Sequence, residues 1–251
     1  VYHEAELWGA AAAIAAFSII FDYIRAPRPR LLVLASVFGA IAILSRPSVG
    51  FGPLAAIGLV GVASLTGPTR RLLGLPEPAE GASWFRTLAA RLAAAGIPAL
   101  LYIYVNHAKF GTLLVFPSDK QIFSQISVYR RAMLAENGNS LFGLKFFPTA
   151  FVQYLRPDAL RFRSLVPFGD FPDTAHVFGN VRFDTIEPTS SVTTTMPLFF
   201  IVAVIGLLAA CWPDRGREWN LRSIRIPLLG ALLGGYTVIP YSYIGQRYES
   251  D

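Results

Sequence analysis

The chain has 251 residues, of which 53% are hydrophobic and only 15% are charged, and its mean hydropathy is +0.47. Soluble domains carry about 25% charged residues, so this composition argues against a soluble fold and favours a membrane protein. The single cysteine, Cys211, excludes an internal disulfide. The net charge of +6 comes largely from basic clusters beside apolar runs, so we expect no nucleic-acid partner.

Six apolar runs approach the roughly 20 residues that span a bilayer core. They cover residues 5–24, 31–45, 49–66, 88–105, 196–212 and 226–244, each within a residue or two. The second and third runs are separated at Arg46-Pro47, where proline favours a helix break, and they form either two spans or one re-entrant pair. We therefore predict an all-α polytopic membrane protein with about six transmembrane or re-entrant helices.

Short basic loops predict the orientation, because positively charged loops resist translocation across a membrane. Three clusters fall on one side if the six runs alternate: Arg25, Arg28 and Arg30; Arg70, Arg71, Arg86 and Arg91; Arg215, Arg217, Arg222 and Arg225. We expect a multi-pass protein of the bacterial plasma membrane in which loops 25–30, 67–91 and 213–225 are cytoplasmic. The turn at Arg46 and residues 106–195 would then face outside.

Residues 106–195 differ in kind from the apolar runs. They mix nine basic with seven acidic residues and are rich in aromatic residues and proline, which is a globular composition. The sequence predicts helices at about 124–136 and 144–155, and an ordered loop or short strands at 162–188. We predict three regions: a transmembrane helix group at 1–105, an extracytoplasmic segment at 106–195 and a transmembrane helix pair at 196–251.

His3 and Glu4 precede the first apolar run, beside Trp8, where the outer membrane interface is expected. An imidazole and a carboxylate could bind a divalent cation that bridges a donor phosphate, or could act in acid–base chemistry. The alternative is an interfacial cluster in which Trp8 anchors the helix and the charged groups are solvated. These two residues alone do not make a complete metal site.

Three cations are candidate phosphate ligands: Arg46, Lys109 and Arg247. A charge between apolar runs is costly unless it faces protein, water or an anion, and the guanidinium of Arg46 suits bidentate phosphate binding. The alternative is an arginine that snorkels and binds helix C-terminal carbonyls. Arg247 has the same two interpretations and nearby acidic residues, whereas Lys109 could meet a lipid phosphate or serve as an interfacial anchor.

Four stretches resemble membrane glycosyltransferases of the GT-C superfamily, in particular actinobacterial proteins of the dolichyl-phosphate mannosyltransferase and RgtA-like group. They are Tyr2-His3-Glu4-Ala5, Leu44-Ser45-Arg46-Pro47, Val105-Asn106-His107-Ala108-Lys109-Phe110-Gly111, and Gln246-Arg247-Tyr248 followed by Asp251. The third is similar to an Asn-Tyr-x-x-Phe-Gly pattern of such proteins, and the fourth to an Arg-Tyr-x-x-Asp pattern. The resemblance is scattered over most of the chain.

The resemblance implies transfer of a sugar from a polyprenyl-phosphate donor to a cell-envelope acceptor on the outer face. The family's catalytic base is an acidic residue in the first outer loop, which would lie upstream of Val1, so we expect a fragment without its base. His3 and Glu4 would then lie near the donor phosphate or a cation, and Arg46 or Arg247 would neutralise the phosphate. The alternatives are a transporter or flippase of an envelope lipid precursor, with broken helices at 45–52 and 233–240, and a structural membrane subunit.

Overall fold

Apolar, alanine-rich stretches form long helices, and the chain is mostly helical, as the sequence predicts. The computed structural model describes residues 2–76, 83–114, 117–166, 169–171, 177–212 and 221–245. Its α-helices are α1 Tyr2–Arg25, α2 Pro29–Ser45, α3 Pro47–Ala63, α4 Gly67–Leu72, α5 Trp84–Phe110, α6 Ile122–Ile126, α7 Val128–Glu136, α8 Phe147–Leu155, α9 Val192–Thr195, α10 Pro197–Cys211 and α11 Arg225–Val238. The chain divides into unit 1, residues 1–113 and 206–235, and unit 2, residues 114–205 and 236–251.

The long helices of unit 1 run alternately up and down. Arg46 pairs with Glu6, so the start of α1 lies beside the junction of α2 and α3. At the opposite end, Arg91 of α5 reaches Tyr23 of α1 and Ser64, which caps α3. A core of aliphatic side chains lies between the helices; it includes Ile20, Ile24, Ile43, Ile57 and Val60. Unit 1 therefore has two chemically different ends, which we call the Glu6–Arg46 end and the Arg91 end.

The break predicted at Arg46-Pro47 is confirmed. Arg46 alone separates α2 from α3, with extended backbone angles (φ −152°, ψ 109°), and Pro47 occupies the first turn of α3. The missing N–H of proline costs nothing at a helix start, which explains the sharp restart. The two helices fold back on each other as a hairpin of 17 residues per arm, about 26 Å each.

Glycines allow α3 and α11 to touch backbone to backbone. A Cβ atom placed on Gly230 would lie 2.6 Å from the Cβ of Ala56 and 2.8 Å from the carbonyl oxygen of Gly52. A Cβ on Gly234 would lie 2.8 Å from the Cα of Gly52. Small residues spaced by four on both helices thus form the contact, as in the small-xxx-small pattern of membrane helix pairs.

Unit 2 combines short helices with two small ladders. Strand β1 Arg161–Phe162 pairs antiparallel with β2 Gly169–Asp170, and β3 Thr185–Ile186 pairs parallel with β4 Tyr243–Ile244. The core of the unit is formed by apolar side chains of α7, α8 and the strand region, including Met133, Leu134, Phe146, Phe183 and Ile244. The predicted helix at 144–155 is confirmed, as a 3₁₀ turn followed by α8.

Two predicted helices have different bounds in the structure. The helix predicted at 124–136 is two helices, because Ser127 is extended and its hydroxyl caps the start of α7 through the N–H of Arg130. The apolar run predicted as a span to residue 244 is helical only to Val238, so that prediction is wrong at its end. Pro240 lies two residues beyond Val238, and the residues after it pair with Phe142 and with β3.

Two helices of the described part of the chain, Glu4–Arg25 and Trp84–Phe110, are long and apolar enough to cross a membrane. Pro29–Ser45, Pro47–Ala63 and Pro197–Cys211 are apolar but shorter. Residues 77–82 and 213–220 of the predicted cytoplasmic loops lie outside the described residues.

Candidate functional site

The side chain of Arg46 forms the centre of the Glu6–Arg46 end. Its Nη1 group forms an ion pair with the Oε1 atom of Glu6, and its Nε group donates to the hydroxyl of Ser48 at 3.2 Å. Only 11% of the Arg46 side chain and 21% of the Glu6 side chain are exposed. The arginine that the sequence singled out is therefore held at a fixed place by a carboxylate from another helix.

Close packing of α1 on the hairpin turn brings this pair together. A Cβ atom on Gly9 would lie 3.5 Å from the Cβ atoms of both Arg46 and Ser45, in ordinary van der Waals contact. Glu6 lies three residues before Gly9, so both share one face of α1. Trp8, on another face, is 70% exposed. The position of Glu6 relative to Gly9 is thus what aims its carboxylate at Arg46.

Sequence reasoning assigned no role to Glu6, although it stands two residues after Glu4. Glu4 itself is exposed. The sequence did place Glu6 three residues before Gly9, on a helix that is rich in alanine. That spacing did not identify a partner 40 residues away.

An arginine paired with a carboxylate has two chemical consequences. The fork of the guanidinium is oriented before any ligand arrives, which reduces the entropy lost when a phosphate or carboxylate binds. The charge of the pair is balanced, so the apolar surroundings do not bear an isolated cation. An incoming phosphate would share the guanidinium with Glu6 or replace it as the acceptor.

Lys109 is the other predicted phosphate ligand whose side chain the structure describes. Lys109 lies in the last turn of α5, is exposed, and bonds to no side chain that the structure describes. His3 is in the first turn of α1, but its side chain lies outside the described part of the chain, and so does Arg247. Within the residues that the structure describes, no three His, Cys, Asp or Glu side chains meet as a metal site would require. The divalent cation proposed for His3 and Glu4 stays a prediction.

The stretch Asn106 to Gly111 has a structural role at the end of α5. Gly111 adopts the left-handed conformation (φ 72°), and its N–H binds the carbonyl oxygen of His107. Asn106 is buried, and its Nδ2 group donates to the carbonyl oxygen of Thr112 at 2.9 Å. Asparagine and glycine are thus needed to end the helix and turn the chain, whatever else the motif does.

A second polar cluster, which sequence reasoning missed, is buried in unit 2. Arg130 of α7 and Asp184 are 8% and 7% exposed, and the Nη1 and Oδ2 atoms of this pair are 3.4 Å apart. The guanidinium also binds the side-chain oxygen of Gln121 and lies over the ring of Phe123. The N–H of Asp184 donates to the carbonyl oxygen of Ser242, so the pair joins α7 to the strand region.

We expect this cluster to make the protein more stable at mildly acidic pH. Burial raises the pKa of the Asp184 carboxyl above its ordinary value, and the charge of Arg130 offsets this only in part. The folded protein therefore binds this proton more tightly than the unfolded chain, and stability is lost as pH rises through the folded pKa. Thermal unfolding of the full chain between pH 4.5 and 7.5 tests this, with Asp184→Asn expected to flatten the profile. An unchanged profile in that variant would show that other groups govern it.

No protein-family model, curated protein sequence or solved structure matches this chain.

Proposed function

We propose that the chain is part of a polytopic bacterial plasma-membrane protein that transfers a sugar from a polyprenyl-phosphate donor to a cell-envelope acceptor on the outer face. The observation that carries the proposal is the partly buried Glu6–Arg46 pair at one end of an apolar helix unit. A lipid-linked phosphate needs a guanidinium beside apolar helix surface, and this end of unit 1 offers both.

Exposed apolar side chains support the membrane part of the proposal. In α10, Leu198, Phe199 and Ile205 are 69%, 73% and 59% exposed, and α5 exposes Ile97 and Leu100 to a similar degree. Large apolar side chains exposed to this degree on one helix are typical of surfaces that face lipid or a protein partner. The arginine-rich loops at the opposite end from Arg46 support the orientation, since basic loops remain cytoplasmic.

In the proposed reaction, Arg46 acts on the leaving group. The acceptor hydroxyl oxygen attacks the anomeric carbon, the bond from that carbon to the phosphate oxygen breaks, and the acceptor proton passes to a base. Charge accumulates on the polyprenyl phosphate as that bond breaks, and Arg46 stabilises it. Glu6 acts through Arg46, as a positioning residue that holds the fork in place. Lys109 and Arg247 remain further candidates for the phosphate, and His3 and Glu4 for the donor site.

Arg46→Ala is expected to lower sugar transfer by about 10²–10³-fold in membranes that carry the full-length protein, using radiolabelled polyprenyl-phosphate sugars. Alanine keeps the Cβ atom that Gly9 faces, so the packing of α1 on the hairpin is retained. Arg30→Ala is the matched control, because Arg30 is exposed at the other end of α2 and should leave transfer unchanged. Equal transfer by wild type and Arg46→Ala would remove Arg46 from the mechanism.

A second function, transport or flipping of an envelope lipid precursor, is favoured by one observation. The helices α2 and α3 have only 17 residues each and turn back at the single extended residue Arg46. Re-entrant segments of this kind can line a water-filled substrate cavity within a membrane. The same membranes distinguish the two functions. A transporter would move labelled lipid across reconstituted vesicles without releasing its sugar, whereas the transferase would yield labelled acceptor.

A further inference from the structure

The Arg91 end of unit 1 is strongly basic. Contacts at this end join α1, α3, α4, α5 and the start of α11 with the residues before it: Arg225 donates to the carbonyl oxygen of Leu72, and a Cβ on Gly74 would touch Arg222. Nine described arginines lie on these elements, in the turn after α1 or at the start of α2: Arg25, Arg28, Arg30, Arg70, Arg71, Arg86, Arg91, Arg222 and Arg225. Glu4 and Glu6 of α1 lie at the opposite end of that helix, so Asp22 is the one acidic residue that the described parts of these elements place at this end. Such a field concentrates anions.

Arg91 is the most deeply buried of these arginines, with 6% of its surface exposed. Its Nε group donates to the hydroxyl of Tyr23 at 2.9 Å, and its Nη1 group donates to the hydroxyl of Ser64 at 2.5 Å. The guanidinium also lies over the ring of Tyr23, 5.6 Å from the ring centre. Among the described residues, Arg91 forms no ion pair with a carboxylate.

A buried cation whose protein partners are neutral hydroxyls carries an unbalanced charge. Ser64 caps the end of α3, so the partial negative charge of that helix end compensates some of it. This partial charge is about half an elementary charge and acts only within the last turn. Arg46 has its counter-charge within the chain, in Glu6. Arg91 has no such carboxylate among the described residues, so its site suits an anion from outside the protein.

The surroundings of Arg91 are those of a membrane interface. Trp84, in the first turn of α5, is half exposed, and its indole Nε1 group donates to the carbonyl oxygen of Ser64 at 3.4 Å. Phe85 beside it is 71% exposed. Aromatic residues with one polar contact and an exposed ring are typical of the headgroup level of a bilayer, and arginines there meet lipid phosphates.

We propose that Arg91, oriented by Tyr23 and Ser64, binds the phosphate of an anionic phospholipid at the arginine-rich end of unit 1. The proposal rests on the membrane location given under the proposed function, but it needs no sugar transfer. The recognised group is a phosphate oxyanion, and the exposed aromatic residues and apolar helix surface favour a lipid headgroup over free phosphate. This site is at the opposite end of unit 1 from Arg46 and is separate from the donor site.

The test uses the full chain in a neutral detergent, with phosphatidylglycerol, phosphatidylcholine or inorganic phosphate added. Phosphatidylglycerol should raise the melting temperature of the wild type more than phosphatidylcholine does. Arg91→Gln should bind phosphatidylglycerol about tenfold more weakly and lose most of that difference. Arg86→Gln is the matched control, because Arg86 is an exposed arginine of the same helix and should keep it.

Tyr23→Phe keeps the ring under Arg91 and removes only the hydroxyl, so it tests the same site if Arg91→Gln does not fold. Phosphatidylglycerol should raise the melting temperature of Tyr23→Phe less than it raises that of the wild type. Equal phosphatidylglycerol stabilisation of the wild type, Arg91→Gln and Tyr23→Phe would overturn the proposal. Full stabilisation by inorganic phosphate alone would replace the lipid by a free anion. Failure of the wild type to partition into detergent or membranes would instead reject the membrane location itself.

Discussion

Gly230→Ala is expected to destabilise the protein by about 1–3 kcal/mol, whereas Gly235→Ala, on the same helix, should stabilise it slightly. A Cβ on Gly230 would lie 2.9 Å from the backbone nitrogen of Ala56 and 2.8 Å from the carbonyl oxygen of Gly52. Backbone atoms cannot rotate away, so α3 and α11 must move apart at this point and lose the close contact of Gly52 and Ala56 with Gly230 and Gly234. A Cβ on Gly235 meets no atom within 4 Å. There, replacing glycine by alanine should gain up to about 1 kcal/mol of helix propensity.

Thermal unfolding of the two variants in detergent measures this difference directly. Their opposite signs are the informative result, because both variants carry the same chemical change. Gly234→Ala should behave like Gly230→Ala, since its Cβ would lie 2.8 Å from the Cα of Gly52. Equal stability of Gly230→Ala and Gly235→Ala would show that α3 and α11 are not in backbone contact.

Arg130→Met is expected to destabilise the protein by roughly 3–5 kcal/mol at pH 7, because it leaves the Asp184 carboxylate buried without its cation. Methionine retains the volume of the side chain and its contact with the Phe123 ring, so packing changes little. Arg131→Met is the matched control: Arg131 is the next residue of α7 and is exposed, so its replacement should change stability by less than about 0.5 kcal/mol.

Two further measurements separate loss of the ion pair from loss of packing. Adding Asp184→Asn to Arg130→Met should recover much of the stability, because the uncompensated charge is then gone. Lowering the pH should also reduce the difference in free energy of unfolding between Arg130→Met and the wild type, because Asp184 takes up a proton more readily without Arg130 nearby. If neither Asp184→Asn nor the lower pH reduced this difference, the destabilisation by Arg130→Met would be due to lost packing instead.

The sequence predicted the features that depend on neighbouring residues. Runs of apolar residues located the long helices, and Pro47 located the break between α2 and α3 because proline acts on the residue directly before it. Arg46 was singled out for the same local reason, a charge between two apolar runs. Two helical stretches of unit 2, at 124–136 and 144–155, were also predicted, whereas the extended Ser127 and the short helix α9 were missed.

Pairings between distant segments could not be predicted. Glu6 meets Arg46 across 40 residues and Arg91 meets Tyr23 across 68, and the pattern of neither local segment names its partner. The parallel pairing of Thr185–Ile186 with Tyr243–Ile244 also joins segments that are far apart in the sequence. Residues 243–244 are therefore in a strand, although the apolar run that contains the last helix continues to residue 244. Apolar periodicity shows which residues avoid water, but it does not say which segment covers them.

The central claim is that the helices of unit 1 cross a membrane with the Glu6–Arg46 end outward. Helix α5 tests it most directly, because Ser83 and His107 are exposed at its two ends. With Cys211 replaced by serine, Ser83→Cys and His107→Cys are treated in intact cells with a membrane-impermeant maleimide. We predict that His107→Cys is labelled in intact cells and that Ser83→Cys is labelled only after the cells are permeabilised. Equal labelling of both positions in intact cells, or the reverse order, would contradict the claim.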